Sequence, residues 1–354
     1  MQSYDIAIIG LGPAGATLAR LLSPSLNVVA LDKKQEQGEG GFQKPCGGLL
    51  APDAQRSLRR MKLTLPARVL VSPQLSQVET LDLQSGVVCR YGRNYINISR
   101  HAFDLWLKSL IPWTVKVFHN ARCKRIEKNS GNYRITFDDD NGENVLTARY
   151  VVGADGASSL VRRLIYPNHS IRHYQALQQW FTEQNPTPFH ACLFDNALTD
   201  NYAWCVAKGD YFIIGGAFPM KEGKARFAVM KDKLAQRGIR FGEAVKSEKC
   251  LVLCPEKWSD FVCGEHNAFL IGEAAGFISA SSLEGISYAL DSAEKLSRIL
   301  NAGAANPNAA YWKSTRGLRA RLFGKIIKGR VLTSSRWRNL IMRSRIAALP
   351  DQNV

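Results

Sequence analysis

Several glycine-rich segments are the parts of this sequence whose residue types and spacing could do chemistry, and the first follows an apolar run at residues 4–9. The run fits a buried parallel strand, and the apolar spacing after it fits a helix. Gly10 would permit a tight turn, Gly12 would let the backbone approach a pyrophosphate, and Gly15 would let the helix pack on the strand. Pro13 and Ala14 begin the helix, whose N-terminus favours a phosphate. The segment therefore predicts a dinucleotide-binding turn.

A second apolar run, residues 26–31, ends in Asp32, which lies 22 positions after Gly10. An acidic residue about 20 positions after the turn binds a ribose hydroxyl in sites of this kind. Asp32 would also repel a 2′-phosphate, so this part of the site is not expected to hold NADP. Lys33, a second candidate for a cofactor contact, and Lys34 weaken that inference. The alternative is a structural turn with a solvated aspartate.

A chain of 354 residues is long enough for two domains or one composite domain, and its composition is that of a globular protein. No run of about 18 apolar residues is present, so no transmembrane helix is expected. The sequence enters its first apolar run without a basic and apolar leader. We therefore expect a cytoplasmic location.

Eight cysteines are scattered along the chain without a CxxC pair. A cytoplasmic location favours free thiols. Cys250, Cys254, Cys263 and His266 superficially resemble a zinc site. The apolar stretch 250–254 is typical of a strand, however, so buried thiols are the favoured interpretation and no metal is expected.

Residues 301–354 are strongly basic, with eleven Lys or Arg and one acid, which is +10 of the total net charge of +17. Apolar residues at helical spacing lie among them: Leu318, Leu322, Phe323, Ile326 and Ile327. Such a composition is typical of a basic amphipathic helix on an anionic membrane, which predicts peripheral contact of residues 311–345 with the inner face of the cell membrane. Packing of the apolar stripe on the protein itself is the alternative. Nucleic acid is not an expected partner, because no nucleic-acid-binding motif accompanies the charge.

Two later segments, residues 151–157 and 269–276, are again rich in glycine. Together with the first turn, their order and spacing point to a flavoprotein and predict an interleaved α/β fold. Residues 1–165 would form the main part of a Rossmann-like FAD-binding domain, with an excursion into a substrate domain near residues 60–95. Residues 166–258 are strand-like and aromatic and would form a β-sheet substrate domain. Residues 259–300 would return to the FAD-binding domain, and residues 301–354 would form a helical tail. The loop at residues 36–48 is rich in glycine and polar residues.

Two later segments carry a family resemblance. Residues 153–162 read Gly-Ala-Asp-Gly-Ala-Ser-Ser-Leu-Val-Arg, and residues 272–276 read Gly-Glu-Ala-Ala-Gly. With the first turn, they make residues 1–300 resemble flavin-dependent oxidoreductases of the aromatic-hydroxylase fold group, within its geranylgeranyl-reductase-like branch. The resemblance implies that Asp155 and Gly156 bind FAD and reduced nicotinamide cofactor. It also implies that Gly272, Glu273 and Gly276 hold the flavin ribityl or ribose, with Glu273 where the family usually has Asp.

Two further stretches extend the resemblance. Residues 282–289 are similar to a Gly-Glu-Gly-Ile segment at a helix start beside the flavin ring, which implies cofactor contacts for Gly285 and Ile286. Leu283 replaces the first glycine of that segment. Backbone amides at such a helix start could stabilise negative charge on reduced flavin. Arg100 matches an arginine that contacts the cofactor in relatives; a surface arginine at a helix end is the alternative.

Residues 44–49 resemble the Pro-Cys-Gly-Gly motif of geranylgeranyl reductases, near the reactive ring of the flavin. The resemblance implies cofactor contacts for Pro45, Cys46, Gly47 and Gly48. Cys46 is the candidate catalytic residue, since a thiol there could tune the flavin or take part in proton transfer. An inert cysteine in a glycine turn is the alternative.

Tyr202 and Trp204 are candidate substrate residues, since residues 202–204 are similar to the start of that branch's Tyr-x-Trp-x-Phe-Pro motif. Val206 and Ala207 replace the Phe-Pro, which puts the usual substrate in doubt. The β-rich region is expected to form a long apolar cavity, with core packing as the alternative for each aromatic residue. The candidates to line it are Phe181, Phe189, Phe194, Tyr202, Trp204, Tyr211 and Phe212.

The resemblance predicts an FAD-dependent reductase of a polyprenyl or other isoprenoid lipid. Hydride from NADH or NADPH would reach an unactivated double bond through the flavin, while the protein holds the alkene and excludes water and oxygen. One alternative is a monooxygenase of the same fold that hydroxylates an aromatic substrate. Another is a membrane-associated flavoprotein that binds a small molecule or lipid without turnover, since binding motifs report occupancy rather than catalysis.

Overall fold

Two β-sheets meet along one cleft in the computed structural model, which describes residues 2–34, 44–129, 131–182, 190–346 and 348–349. Phe189, most of the loop at residues 36–48 and the last five residues lie outside the described residues. The strands are β1 (Gln2–Ile9), β2 (Val28–Leu31), β3 (Leu49–Leu50), β4 (Leu75–Asp82), β5 (Val88–Asn97), β6 (Val115–Phe118), β7 (Arg122–Asn129), β8 (Asn132–Asp139), β9 (Gly142–Gly153), β10 (His173–Phe181), β11 (His190–Phe194), β12 (Ala203–Lys208), β13 (Tyr211–Phe218), β14 (Lys246–Leu253) and β15 (Ala268–Leu270).

Helices cover both sheets and form the end of the described chain. They are α1 (Pro13–Leu21), α2 (Pro52–Arg60), α3 (Arg100–Ser109), α4 (Leu160–Ile165), α5 (Gly223–Gln236), α6 (Ile286–Asn301), α7 (Pro307–Ser314), α8 (Arg316–Thr333) and α9 (Ser335–Ser344). The predicted α/β class with a C-terminal helical tail is confirmed.

The first sheet has the order β6-β2-β1-β9-β8-β7, with β15 beside the last residues of β9. Strands β2, β6, β9 and β15 run parallel to their neighbours at the centre. The second half of β1, from Ile6 to Ile9, is apolar and buried because α1 and the other helices cover both faces of the parallel part. Parallel strands end at one edge, so the turns after β1, β2, β9 and β15 meet there.

The second sheet has the order β14-β10-β13-β12-β11-β4-β5-β3. Strands from residues 49–97 therefore join strands from residues 173–253 in one sheet. Side chains alternate between its faces. On one face, Phe218, Phe212 and Leu193 pack with α5 in a separate core. The other face looks toward the first sheet and lines the cleft.

The basic C-terminal segment folds as helices α7 to α9, and the apolar stripe of α8 divides in two. Leu318, Leu322 and Ile326 are at most 3 % exposed and join the main core. Each stabilises the fold by roughly 1.5–3 kcal/mol relative to an exposed side chain. Phe323 and Ile327 point outward and are exposed. Packing on the protein therefore accounts for one half of the stripe and leaves the other half at the surface.

Within the described part of the chain, no helix is long and apolar enough to cross a lipid bilayer.

Candidate flavin site

The turn between β1 and α1 has the geometry of a phosphate cradle. Gly10 has φ +96°, and a Cβ on Gly15 would lie 1.9 Å from the Gly10 carbonyl oxygen, so both positions require glycine. A Cβ on Gly12 would meet no atom within 4 Å. Pro13 and Ala14 begin α1, and both line the cleft with the glycine turn. The α1 N-terminus thus presents backbone amides to open space, as binding of a pyrophosphate requires.

Asp32 lies at the end of β2, lines the cleft and is 3 % exposed. The Lys108 ammonium lies 2.6 Å from Asp32 Oδ2. Lys108 comes from α3, and this ion pair was not anticipated from the sequence. Lys33 and Lys34 also line the cleft, and Lys34 contacts Asp104 at 2.7 Å. The acidic residue at the ribose position is thus held in place by α3.

The two later glycine-rich segments, residues 153–162 and residues 272–276, lie against the turn between β1 and α1. Asp155 Oδ2 accepts a hydrogen bond of 2.7 Å from the Leu160 amide, while Asp155 Oδ1 is buried with no partner among the described residues. Burial raises the pKa of Asp155. Arg162 donates to the Ala274 carbonyl at 2.8 Å, which joins the two segments. Gly156, with φ +76°, lies beside Glu273. Asp155 lines the cleft, so a ligand bound there that donates a hydrogen bond would suit this unsatisfied carboxyl group.

Glu273 is engaged by the protein at both oxygens. Oε2 forms an ion pair with Lys44, and Oε1 accepts a hydrogen bond of 3.0 Å from the Leu253 amide. Burial lowers the pKa of Lys44, but the charge of Glu273 outweighs it and leaves that pKa raised. Gly272 and Gly276 both have positive φ and shape the turn around Glu273. Glu273, which is longer than the family's usual Asp, thus connects residues 272–276 to the Cys46 turn through Lys44.

The Cys46 turn is held by charged side chains from distant elements. The Gly48 amide donates to Cys46 Sγ at 3.4 Å, and the Arg100 guanidinium contacts the same thiol. Arg100 is mostly buried and pairs with Asp104 at 2.8 Å, which is inconsistent with a surface arginine. Burial would raise the pKa of Asp104, yet Arg100 and Lys34 lower it to about 2. The thiol therefore lies beside a fixed cation.

Lys208 supports this turn from the second sheet. It is 4 % exposed, and its ammonium donates to the carbonyls of Gly48 at 3.1 Å and Ile98 at 2.9 Å and to the Asn97 side chain. Burial lowers the pKa of Lys208 to about 7. Pro45 and Gly47 complete the turn and line the cleft. No local pattern marks Lys208, since it lies 160 positions after Gly48.

The start of α6 lies at the same cleft. Gly285 is the N-cap residue and Ile286 the first residue of the helix, and both line the cleft. Leu283 has φ +49°, a left-handed conformation that costs a residue with a Cβ roughly 1–2 kcal/mol. The family's glycine at this position suits the backbone better than leucine does.

One cleft of about 1490 Å³ joins the glycine turn, Asp32, Asp155, Glu273, the Cys46 turn and the start of α6. Pockets for single small ligands are typically about 300–1,000 Å³, so the cleft has room for a dinucleotide and a further molecule. It runs from the cradle past the Cys46 turn to the inner face of the second sheet and to α8 and α9. Arg338, Met342 and Lys328 are among its lining residues from these two helices.

The aromatic candidates divide between the two faces of the second sheet. Phe194, Tyr202 and Trp204 line the cleft, and Trp204 Nε1 donates to Gln178 at 3.2 Å. The expectation for the other described candidates was wrong. Phe181 and Phe212 point to the opposite face and pack in the core under α5. Tyr211 is exposed and lies edge-on to Trp180.

Sequence reasoning missed a polar cluster at the end of the cleft that the second sheet lines. Tyr95 donates to Glu284 Oε1 at 2.9 Å, and Arg93 lies 3.3 Å from Glu284 Oε2. The His190 ring meets Tyr95 edge-on at 5.2 Å. Burial is the main cause that raises the pKa of Tyr95 and lowers that of His190 to about 4. Of these four residues, only Glu284 lies in a segment that the sequence singled out, residues 282–289. Arg93 and Tyr95 come from β5, and His190 comes from β11.

Replacing His190 with phenylalanine is expected to reduce acid sensitivity. The folded-state pKa near 4 lies below the ordinary 6.5, so the unfolded chain binds more protons between these values. Stability therefore falls as pH drops from 6.5 to 4, by on the order of 2 kcal/mol for this group. His190→Phe keeps the edge contact with Tyr95 but has no group that titrates. Urea unfolding at pH 7 and at pH 4 should therefore show a smaller drop in the free energy of unfolding for the variant than for the wild type. An equal drop in both proteins would show that His190 is not a buried neutral group.

Curated relatives match the whole chain. It is 57 % identical over 351 residues to Protein CbrA of Escherichia coli O157:H7, and the alignment covers 99 % of each protein. The sequence also resembles, over the whole chain, an enterobacterial flavoprotein named for colicin M resistance, and this match confirms that resemblance. No protein-family model matches the chain.

Solved structures show the same fold at low identity. A geranylgeranyl bacteriochlorophyll reductase-like protein from Thermoplasma acidophilum has a TM-score of 0.78 at 16 % identity, covering 94 % of this chain and 88 % of its own. A probable FAD-dependent monooxygenase from Pseudomonas aeruginosa has a TM-score of 0.71 at 20 % identity. That match covers 97 % of this chain and 99 % of the monooxygenase. The fold is thus that of FAD-dependent oxidoreductases and monooxygenases. At 57 % identity over its full length, the chain belongs to the CbrA family.

Proposed function

We propose that this protein binds FAD and reduces double bonds of a polyprenyl or other isoprenoid lipid with hydride from NADH or NADPH. The observation that carries the proposal is the continuity of the cleft, from the phosphate cradle past Cys46 to an aromatic sheet face. The solved neighbour described as geranylgeranyl-reductase-like agrees with it, although 16 % identity shows the fold alone.

The cofactor would be held by groups that the fold already positions. The Gly12 turn and the α1 N-terminus would hold the pyrophosphate, Asp32 a ribose, and the free oxygen of Asp155 a further hydroxyl. Bound FAD would supply hydride transfer, which amino-acid side chains do not provide. The start of α6 and Arg100 would place positive charge near the Cys46 turn, which would favour the negative charge of a reduced flavin held there.

The far end of the cleft suits a long apolar substrate with an anionic end. Val331, Leu332 and Met342 line it together with Phe194 and Trp204. Arg93 and Lys328 lie close enough that the charge of Arg93 adds to burial in lowering the pKa of Lys328. Two neighbouring cations beside the carboxylate of Glu284 suit a phosphate at this end of the cleft. Saturation of a double bond adds one hydride and one proton, so a proton donor is also needed.

Tyr95 is the candidate proton donor, and Tyr95→Phe is expected to slow double-bond reduction about 100-fold. Because its pKa is raised, the phenol stays protonated at working pH, and its bond to Glu284 fixes its direction. Single-turnover oxidation of the reduced protein by a prenyl substrate would give the rate. Tyr211→Phe, outside the cleft, is the matched control. A Tyr95→Phe rate within about twofold of the control would exclude this role.

A monooxygenase acting on an aromatic substrate is the second candidate. Tyr95, His190 and Arg93 could bind polar substituents of a ring, and the likeness to a probable FAD-dependent monooxygenase covers nearly the whole chain. The two candidates differ in where the electrons go. We would measure NADPH oxidation and oxygen uptake together, with prenyl phosphates and with aromatic acids. A reductase should oxidise NADPH with a prenyl phosphate under nitrogen, whereas stoichiometric oxygen uptake with a hydroxylated product would establish the monooxygenase.

A further inference from the structure

The outward faces of α8 and α9 expose large apolar side chains. On α8, Phe323 and Ile327 lie one turn apart, and Ile327 is 53 % exposed. On α9, Trp337 and Leu340 lie on one face and are 59 % and 60 % exposed. The buried residues of both helices lie on other faces. A protein surface rarely groups apolar residues in this way without a partner.

The α8 face continues into a cluster of exposed tryptophans. Trp258 meets Phe323 at 5.9 Å between ring centroids. The Arg319 guanidinium lies 5.3 Å from the Trp258 ring and 3.4 Å from the Trp312 ring. Both tryptophans are more than a third exposed. Tryptophan is the side chain most typical of the boundary between water and lipid, because its ring is apolar and its N–H is polar.

The charge carried by the C-terminal helices themselves has one sign. Residues 301–349 contain eleven Lys or Arg and no Asp or Glu. Arg319 and Arg338 are buried and serve internal contacts. Lys313, Arg316 and Arg343 are exposed beside the apolar faces. Each cation near an anionic bilayer strengthens binding, and the effect is additive over several cations.

We propose that the outward faces of α8 and α9 dock on an anionic lipid bilayer. Aromatic and aliphatic side chains between cations match an interfacial helix, whose apolar face enters the headgroup boundary while the cations meet lipid phosphates. A second copy of the chain would bring like charges together, which opposes self-association. The surface therefore suits lipid better than another copy of itself.

The same helices also form one wall of the cleft. Val331, Leu332 and Met342 line it, and Ile341 lines it while remaining 37 % exposed. A protein docked by these helices would hold the substrate end of its cleft next to the bilayer. This link to a lipid substrate rests on the proposed function, whereas docking itself does not.

Co-sedimentation with extruded vesicles tests docking without any turnover. Purified full-length protein should bind phosphatidylglycerol–phosphatidylcholine vesicles at least about tenfold more tightly than pure phosphatidylcholine vesicles, and salt should weaken that binding. Leu340→Glu and Ile327→Glu should each weaken it about tenfold, since each places an acid in the docking face. Val245→Glu is the matched control, because Val245 is 56 % exposed on another surface.

A second pair of variants tests the aromatic contribution without changing charge. Trp337→Ala should weaken vesicle binding severalfold, while Trp113→Ala should not, although Trp113 is 93 % exposed. Circular dichroism confirms that each variant is folded. Equal binding by all variants, or no preference for anionic vesicles, would overturn the proposal. So would a dimer that forms without lipid and is abolished by Leu340→Glu. Vesicle binding without prenyl reduction would uphold docking and refute only the proposed function.

Discussion

Gly15→Ala is expected to destabilise the protein by at least about 3 kcal/mol and to abolish FAD binding. Its methyl group would lie 1.9 Å from the Gly10 carbonyl oxygen and 3.1 Å from Ala154 Cβ, both in the tight contact between α1 and the first sheet. The atoms on the Gly10 side belong to the backbone and cannot rotate away, so the clash has no local relief. Urea unfolding of the cofactor-free protein and a fluorescence titration with FAD would measure the two effects.

Gly12→Ala is the matched control, because it should separate those effects. A Cβ on Gly12 meets no protein atom within 4 Å, and its φ of −70° suits alanine. The variant should therefore unfold like the wild type. Its methyl group would occupy the space that a pyrophosphate needs, so FAD affinity should fall about tenfold or more. Unchanged FAD affinity in Gly12→Ala would show that the cradle is not the cofactor site.

Arg338→Leu is expected to destabilise the protein by about 3–5 kcal/mol. Arg338 is 1 % exposed and donates to Asp82, which is fully buried, at 2.9 Å. It also donates to the Leu332 carbonyl at 2.8 Å and to Asn196 at 3.0 Å, and thereby fixes α9 to the second sheet. Burial would raise the pKa of Asp82, but the Ser85 amide and Arg338 keep it below its ordinary value. The variant leaves that carboxylate buried and unpaired.

The control for this prediction is Arg336→Leu on the exposed side of the same helix, which should change stability by no more than about 0.5 kcal/mol. Asp82→Asn combined with Arg338→Leu should recover part of the loss, because the double variant has no unpaired buried charge. A loss below about 1 kcal/mol in urea unfolding of Arg338→Leu would contradict the account of how α9 is anchored.

The sequence predicts best what depends on neighbouring residues. The strand, glycine turn and helix at residues 2–21 follow from apolar spacing and from the conformations that only glycine adopts, and the structure has them. The start of α6 was placed by the resemblance of residues 282–289 to a family segment, and the structure begins the helix at Ile286. Leu283 has a positive φ, so the backbone keeps the conformation that glycine favours even though the residue at this position is leucine.

The sequence predicts poorly what depends on distant partners. Lys208 and Gly48 are separated by 160 positions, so no spacing rule connects them. The pairing of Glu273 with Lys44 joins residues 229 positions apart. Alternation predicts that neighbouring residues of a strand face opposite sides, but not which side faces a cleft. Phe212 was misassigned for that reason, since α5 covers its face.

Helix α8 in the C-terminal segment shows that the same limit of sequence-based prediction applies to helices. Spacings of three and four residues predicted α8 but could not show which apolar side chains face the protein. The structure buries Leu322 and Ile326 and exposes Ile327, because the core meets one side of the helix only. Both interpretations of the basic segment thus describe part of it: self-packing accounts for the buried side, and contact with a membrane remains a proposal for the exposed side.

Anaerobic mixing of the reduced, FAD-loaded protein with polyprenyl phosphates is the most direct test of the proposed reaction. Flavin absorbance and product mass would be followed together. The account predicts that the flavin is reoxidised without oxygen and that the lipid gains two hydrogen atoms for each reduced bond. Reoxidation only after air is admitted, with the lipid unchanged, would contradict it.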